Sequence, residues 1–228
     1  MTSPTPTRPP ERLIAALAGD IVGSRALPDQ EALALALRTT AERLNAAFQP
    51  VLAEPFAVVA GDELRGALSD AVQAPLCVAV MRETLAPVMV RVGVAVAAPA
   101  ASAVEADAFA GSPAKASAST TDDVHALALA TMALAKEQGL LLRYAVGDGA
   151  GEPLLQALCR FLDPLLRART AEQWAAVDAY RRTGETHAAA RLLQVSEDEL
   201  VKRLSAAHWQ LAEETDAAIA AYLARLAR

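Results

Sequence analysis

The stretch Leu13–Arg25, LIAALAGDIVGSR, most constrains what this chain can fold into. Small and aliphatic residues run up to an abrupt carboxylate, Asp20, and a short loop then closes with Gly23 and Ser24. Such a run reads as a buried strand that delivers one charged group to its carboxyl end. Gly23 lets the following backbone come close to a ligand, and Ser24 is a candidate cap for the next element. A carboxylate at a strand end, beside backbone N–H groups, suits a metal bound to a phosphate. The plainer reading of Asp20 is a residue that orders a turn.

The core around that strand must be built from Ala, Leu and Val, because 54% of the 228 residues are hydrophobic and only 4% aromatic. That length allows one large domain, or one domain with a small appendage. A net charge of −6 gives no overall attraction to nucleic acid or anionic lipid. Cys77 and Cys159 lie in apolar surroundings without ligand spacing and read as buried, reduced thiols. Residues 1–12, rich in Pro and Thr, read as a disordered tail rather than a signal peptide. No apolar run reaches membrane-spanning length. A cytoplasmic protein with no membrane partner is expected.

Along the chain, Pro28 and Asp29 open a helix to about Phe48, with Leu33, Leu37, Leu44 and Phe48 on one stripe. Pro50–Pro55 ends it. Phe56–Ala60 reads as a strand, Gly61-Asp62-Glu63 as a tight turn, and Leu64–Leu68 as the returning strand. A helix over about 70–85 and a strand over 88–98 complete a βαββαβ order, the ferredoxin-like arrangement. Residues 99–121 read as a long Ala/Ser-rich loop, 122–138 as a helix, 140–146 as a further strand, and Gly147–Gly151 as a domain boundary. The expected fold is therefore α+β: a ferredoxin-like palm over 13–150, then an all-α, helix-turn-helix-like domain over 151–228. In such a sheet the first and third strands are antiparallel neighbours, which brings Asp20 beside the 61–63 turn. Two carboxylates held together repel unless a cation sits between them, so Asp20 and Asp62 are the candidate metal ligands.

The segments AGDIVGSRALPDQEAL (18–33), RLNAAFQPVL (43–52), FAVVAGDELRGAL (56–68), RVGVAVA (91–97) and GSPAKA (111–116) resemble the SatD family of bacterial proteins. The N-terminal part of that family is similar to the nucleotidyl cyclase palm of the class III and GGDEF type, and a helix-turn-helix-like segment follows it. The resemblance implies Mg²⁺ or Mn²⁺ on Asp20 and Asp62, with Glu63 adjacent, around a nucleoside triphosphate. The backbone of Ile21, Val22, Gly23 and Ser24 then faces the triphosphate, with Arg25 and Lys115 as candidate cations. It also implies a homodimer. The cyclase motif carries an Asn and an Arg late in the palm, where this chain has Lys115 and Ser119. The electrophilic help that phosphoryl transfer needs is absent from that motif, which weighs against catalysis without deciding it. Arg25, Arg65 and Arg91 are the other candidate cations, Arg91 also reading as a solvated residue of an edge strand.

The remainder is helical. Thr170 with Gln173 and Ser196 with Glu199 are capping-box pairs. Helices over 171–182, 185–193 and 197–211 have helix-turn-helix lengths, and RLLQVSEDELVKRL (191–204) fits the turn and second helix. Arg191, Lys202 and Arg203 are the candidate DNA-contacting residues. Against DNA stand Gln194 at the usual turn glycine and three carboxylates, Glu197, Asp198 and Glu199, opening the second helix. A packing or dimerisation module is favoured over DNA binding, the role that would make the chain a factor in transcriptional regulation. An apolar stripe from Leu200 to Leu226 fits one long helix. Trp174 and Trp209 read as core anchors, and His125, His187 and His208 as structural or surface residues. Three functional readings follow: a nucleotide-binding regulator, an active nucleotidyl cyclase or transferase, and a degenerate palm that serves as an interaction scaffold.

Overall fold

The computed structural model describes residues 13–98, 121–148 and 150–227. The segments 1–12 and 99–120, with Lys115 and Ser119, lie outside the described residues.

Five strands form one mixed sheet: β1 (Ile14–Ile21), β2 (Leu52–Val59), β3 (Glu63–Leu68), β4 (Val90–Ala97) and β5 (Leu142–Ala145), in the order β2-β3-β1-β4-β5. The first four pair antiparallel and β5 adds parallel to β4. The βαββαβ order expected from the sequence is thus present, followed by the expected helix and strand, α3 (Thr121–Glu137) and β5. The period-2 alternation of β1 divides the faces. Ala15, Leu17 and Ile21 join a core with α1 (Gln30–Ala47) and α2 (Ala74–Leu85), while Ala16 and Ala18 face α3 (Thr121–Glu137). This second face is lined with small residues because α3 lies almost on the sheet. A Cβ on Gly93 would fall 2.3 Å from Met132 N and 2.4 Å from Ala128 O.

Local chemistry explains the element ends. Asp29 caps α1 by accepting from Ala32 N at 2.8 Å, so the cap is Asp29 and not Ser24. Strand β2 begins at Leu52, earlier than Pro50–Pro55 suggests. It is an edge strand with register shifts around Glu54, where a proline is tolerated.

The helical part comprises α4 (Glu152–Ala168), α5 (Ala171–Thr183), α6 (Thr186–Leu193), α7 (Glu197–Ala206) and α8 (Trp209–Leu226). Its core is continuous with the palm: Leu155 and Cys159 of α4 and Ile219 and Leu223 of α8 belong to the same cluster as β1 and α2. Helices α5–α7 have a small core of their own, built on Ala176, Ala179, Ala189, Ala190 and Leu200. Both cysteines are free and buried, and burial pushes each thiol up, Cys159 to about 12. The long helix expected from Leu200 to Leu226 is broken. His208 takes a left-handed conformation, φ 49°, and turns α8 away from α7. No described helix is long and apolar enough to cross a membrane.

Candidate functional site

The carboxyl end of β1 forms a charged rim on the face covered by α3. Asp20 is in register with Glu63 of β3 on one side and Arg91 of β4 on the other. The topology therefore does bring the first-strand aspartate to the hairpin. Facing carboxylates repel, and cations of the chain itself meet them. Arg91 Nη1 lies 3.5 Å from Asp20 Oδ2, and Lys136 Nζ, from the last turn of α3, reaches the same oxygen at 3.4 Å. Arg65 holds Glu63 through Nε at 3.0 Å and through Nη2. Asp62, in the turn, accepts a 2.6 Å hydrogen bond from Ser24 Oγ.

Arg91 fixes this arrangement. β5 covers β4, so Arg91 is an interior residue, only 8% exposed, and not the solvated edge residue the sequence suggests. Its Nε donates to Leu140 O at 3.0 Å, which pins the guanidinium beside Asp20. A divalent ion on Asp20 would have to sit against that fixed positive charge.

The loop after β1 is likewise partly committed. Val22 N–H donates to Met89 O at 2.9 Å, Ala26 N–H to Gly23 O at 2.9 Å and Leu27 N–H to Ser24 O at 3.2 Å. Gly23 adopts φ 72°, the left-handed conformation its position needs. Ile21 is buried and paired with Val90, and Arg25 stands in the short 3₁₀ turn Ser24–Ala26. Lys115 is not among the described residues.

These donors do not fit a resident divalent cation. Asp20 is met by two cations, Asp62 by Ser24 and Glu63 by Arg65. Among the described residues no three His, Cys, Asp or Glu side chains converge as a metal site. Sequence reasoning missed Lys136 altogether. Its signal was there: a lysine in the last turn of a helix that crosses back over the sheet.

The expected DNA contacts lie on α6 and α7, joined by Gln194-Val195-Ser196 in helix-turn-helix fashion, with Gln194 left-handed at φ 56°. Arg191 and Lys202 are exposed, but Arg203 is held by Glu199 at 2.8 Å. Glu197 pairs with His187 at 2.8 Å. Three carboxylates still occupy the first turn of α7, where a phosphate would approach.

No family profile matches the sequence, and no curated protein matches it. Among solved structures, the chain is similar to a bacterial light-regulated adenylyl cyclase, with a TM-score of 0.38 and 14% identity over 60% of this chain. The similarity spans 44% of that protein's length.

Proposed function

We propose that this chain is a SatD-type regulatory protein whose cyclase-like palm is a metal-independent interaction scaffold. The observation that carries the reading is the Asp20 carboxylate, held by the buried Arg91 and by Lys136 where a cyclase would place its metal. The rim neutralises itself, which removes both the need for a cation and the negative field that attracts one. Helices α5–α7 act as a protein-contact module, since acidic residues fill the end that would meet DNA. A second copy of the chain is the partner that the palm resemblance implies, and light scattering reads it as a doubled mass.

A nucleotide-binding reading keeps one specific support: Asp20, Glu63, Asp62 and Ser24 do gather at one rim. One experiment separates the two. The pure protein is incubated with each nucleoside triphosphate and Mn²⁺, while product and melting temperature are followed. The scaffold gives no product and the same melting with and without metal and nucleotide. Asp20→Asn lowers its melting temperature equally in both conditions, because the lost interaction is an ion pair. A metal-dependent rise in melting that Asp20→Asn abolishes establishes the nucleotide reading. Turnover lost in that variant establishes the enzyme.

A further inference from the structure

Helix α4 buries one side, Leu155, Cys159, Leu162 and Leu166, against the rest of the chain and leaves a second apolar face open. Phe161 is 78% exposed, more than any other large hydrophobic side chain among the described residues, and Leu154 is 57% exposed. Positions 154, 157, 158, 161, 164, 165 and 168 follow helical spacing and form one stripe with no polar side chain in it. The charges of the helix are engaged elsewhere. Asp163 accepts from Leu141 N at 2.6 Å, Arg160 donates to Gln138 at 3.3 Å and Arg167 to Gly139 O at 2.9 Å, while Glu152 lies 3.5 Å from Arg143. A single exposed leucine is ordinary, but a continuous apolar stripe marks a contact surface.

The stripe is ordered by size. From Leu154 to Ala168 it runs Leu, Ala, Leu, Phe, Pro, Leu, Ala, with Phe161 at its centre. A two-fold axis through Phe161 lays this face on its own copy with the two helices antiparallel. Leu154 then meets the partner's Ala168, Ala157 meets the partner's Leu165, and Leu158 meets the partner's Pro164. Bulky side chains fall opposite compact ones, and Phe161 meets its own counterpart, ring against ring. Each copy carries a net charge of −6, and a face without charges adds no repulsion of its own when two copies meet. A different protein drawn by opposite charge would need a charged rim, which this stripe lacks. The stripe is about 21 Å long and about 10 Å wide, on the order of 400 Å² of accessible surface per copy. The total of about 800 Å² is below the roughly 1,200 Å² at which stable complexes begin, so the pair is reversible.

We propose that the open face of α4 is a self-recognition surface, on which a second copy of the chain docks antiparallel about an axis through Phe161. This names the contact face of the scaffold and rests on that reading for its role. The test is sedimentation equilibrium of the full chain from about 1 to 500 µM, the range a small interface requires. The average mass should rise from one copy towards two across that range. Phe161→Glu should hold it at one copy throughout, with an unchanged melting temperature, because the side chain touches little of its own fold. Leu154→Lys and Ala168→Glu should each weaken association at least about tenfold, and an equimolar mixture of the two should recover it, because the register sets the new charges against each other across the axis. A monomer at every concentration overturns the proposal, as does a mixture that associates no better than its parts. A dimer that survives Phe161→Glu also overturns it while leaving the scaffold reading in place. Metal-dependent nucleotide binding would remove the scaffold reading without touching this face.

Discussion

Asp216→Asn should stabilise the protein, and increasingly so as the pH rises. Asp216 lies on α8 and faces Arg82 and Glu83 of α2 and Arg181 of α5, with Glu213 beside it on its own helix. Arg169 reaches it from the start of the α4–α5 joint. Burial is the largest influence and raises its carboxyl from an ordinary 3.8 to about 7, against the pull of Arg82 and Arg181. The sign follows from proton uptake. Below about pH 4 the group is neutral in both folded and unfolded chains and costs nothing. Between about 4 and 7 the unfolded chain ionises while the folded one holds its proton, so stability falls as pH rises. Above 7 the loss is complete. At about 1.4 kcal/mol per pH unit, the advantage of Asn over Asp should grow by about 2–3 kcal/mol between pH 5 and pH 8. Partial contact with solvent lowers that to about 2 kcal/mol. Urea denaturation of both proteins at the two pH values measures it. An Asn variant with the same stability difference at pH 5 and pH 8 refutes the reasoning, because the buried charge would then cost nothing.

Three further outcomes follow from particular contacts. Gly93→Ala should cost at least about 2 kcal/mol in urea denaturation, since its Cβ collides with the backbone of α3 at Met132 and Ala128. Arg181→Met should cost about 3–5 kcal/mol, because it leaves Glu83 buried and Glu213 unpaired. Burial raises the Glu83 carboxyl, so lowering the pH to 5 should recover part of that loss. Lys202→Glu with Arg203→Glu should leave any retardation of duplex DNA unchanged in a mobility shift. A salt-sensitive retardation that the double change removes would restore the DNA-binding role.

Much of the architecture was readable because local signals agreed with one another. The Gly19-Asp20 strand end, the 61–63 hairpin and the helix stripes force a βαββαβ order, and that order alone places Asp20 opposite Glu63. The Thr170–Gln173 capping box forms as written. At Ser196 only half of the pattern holds: its hydroxyl accepts from Glu199 N, while the Glu199 carboxylate goes to Arg203. What stayed hidden depends on three-dimensional neighbours. Arg91 looks like an edge residue until β5 is known to pair in parallel with β4. Lys136 acquires a role only once the phase of α3 over the sheet is fixed. The break at His208 has no glycine or proline to announce it: a histidine takes the left-handed backbone at the start of α8.

The two flanks of the sheet have a consequence for crowded solutions. One flank, β2, is interrupted by Pro55 and irregular pairing, and the other, β5, is four residues long. Neither offers the straight, unsatisfied backbone on which a foreign strand could be laid down. Both described flanks of the sheet thereby discourage ribbon-like stacking of one copy on another.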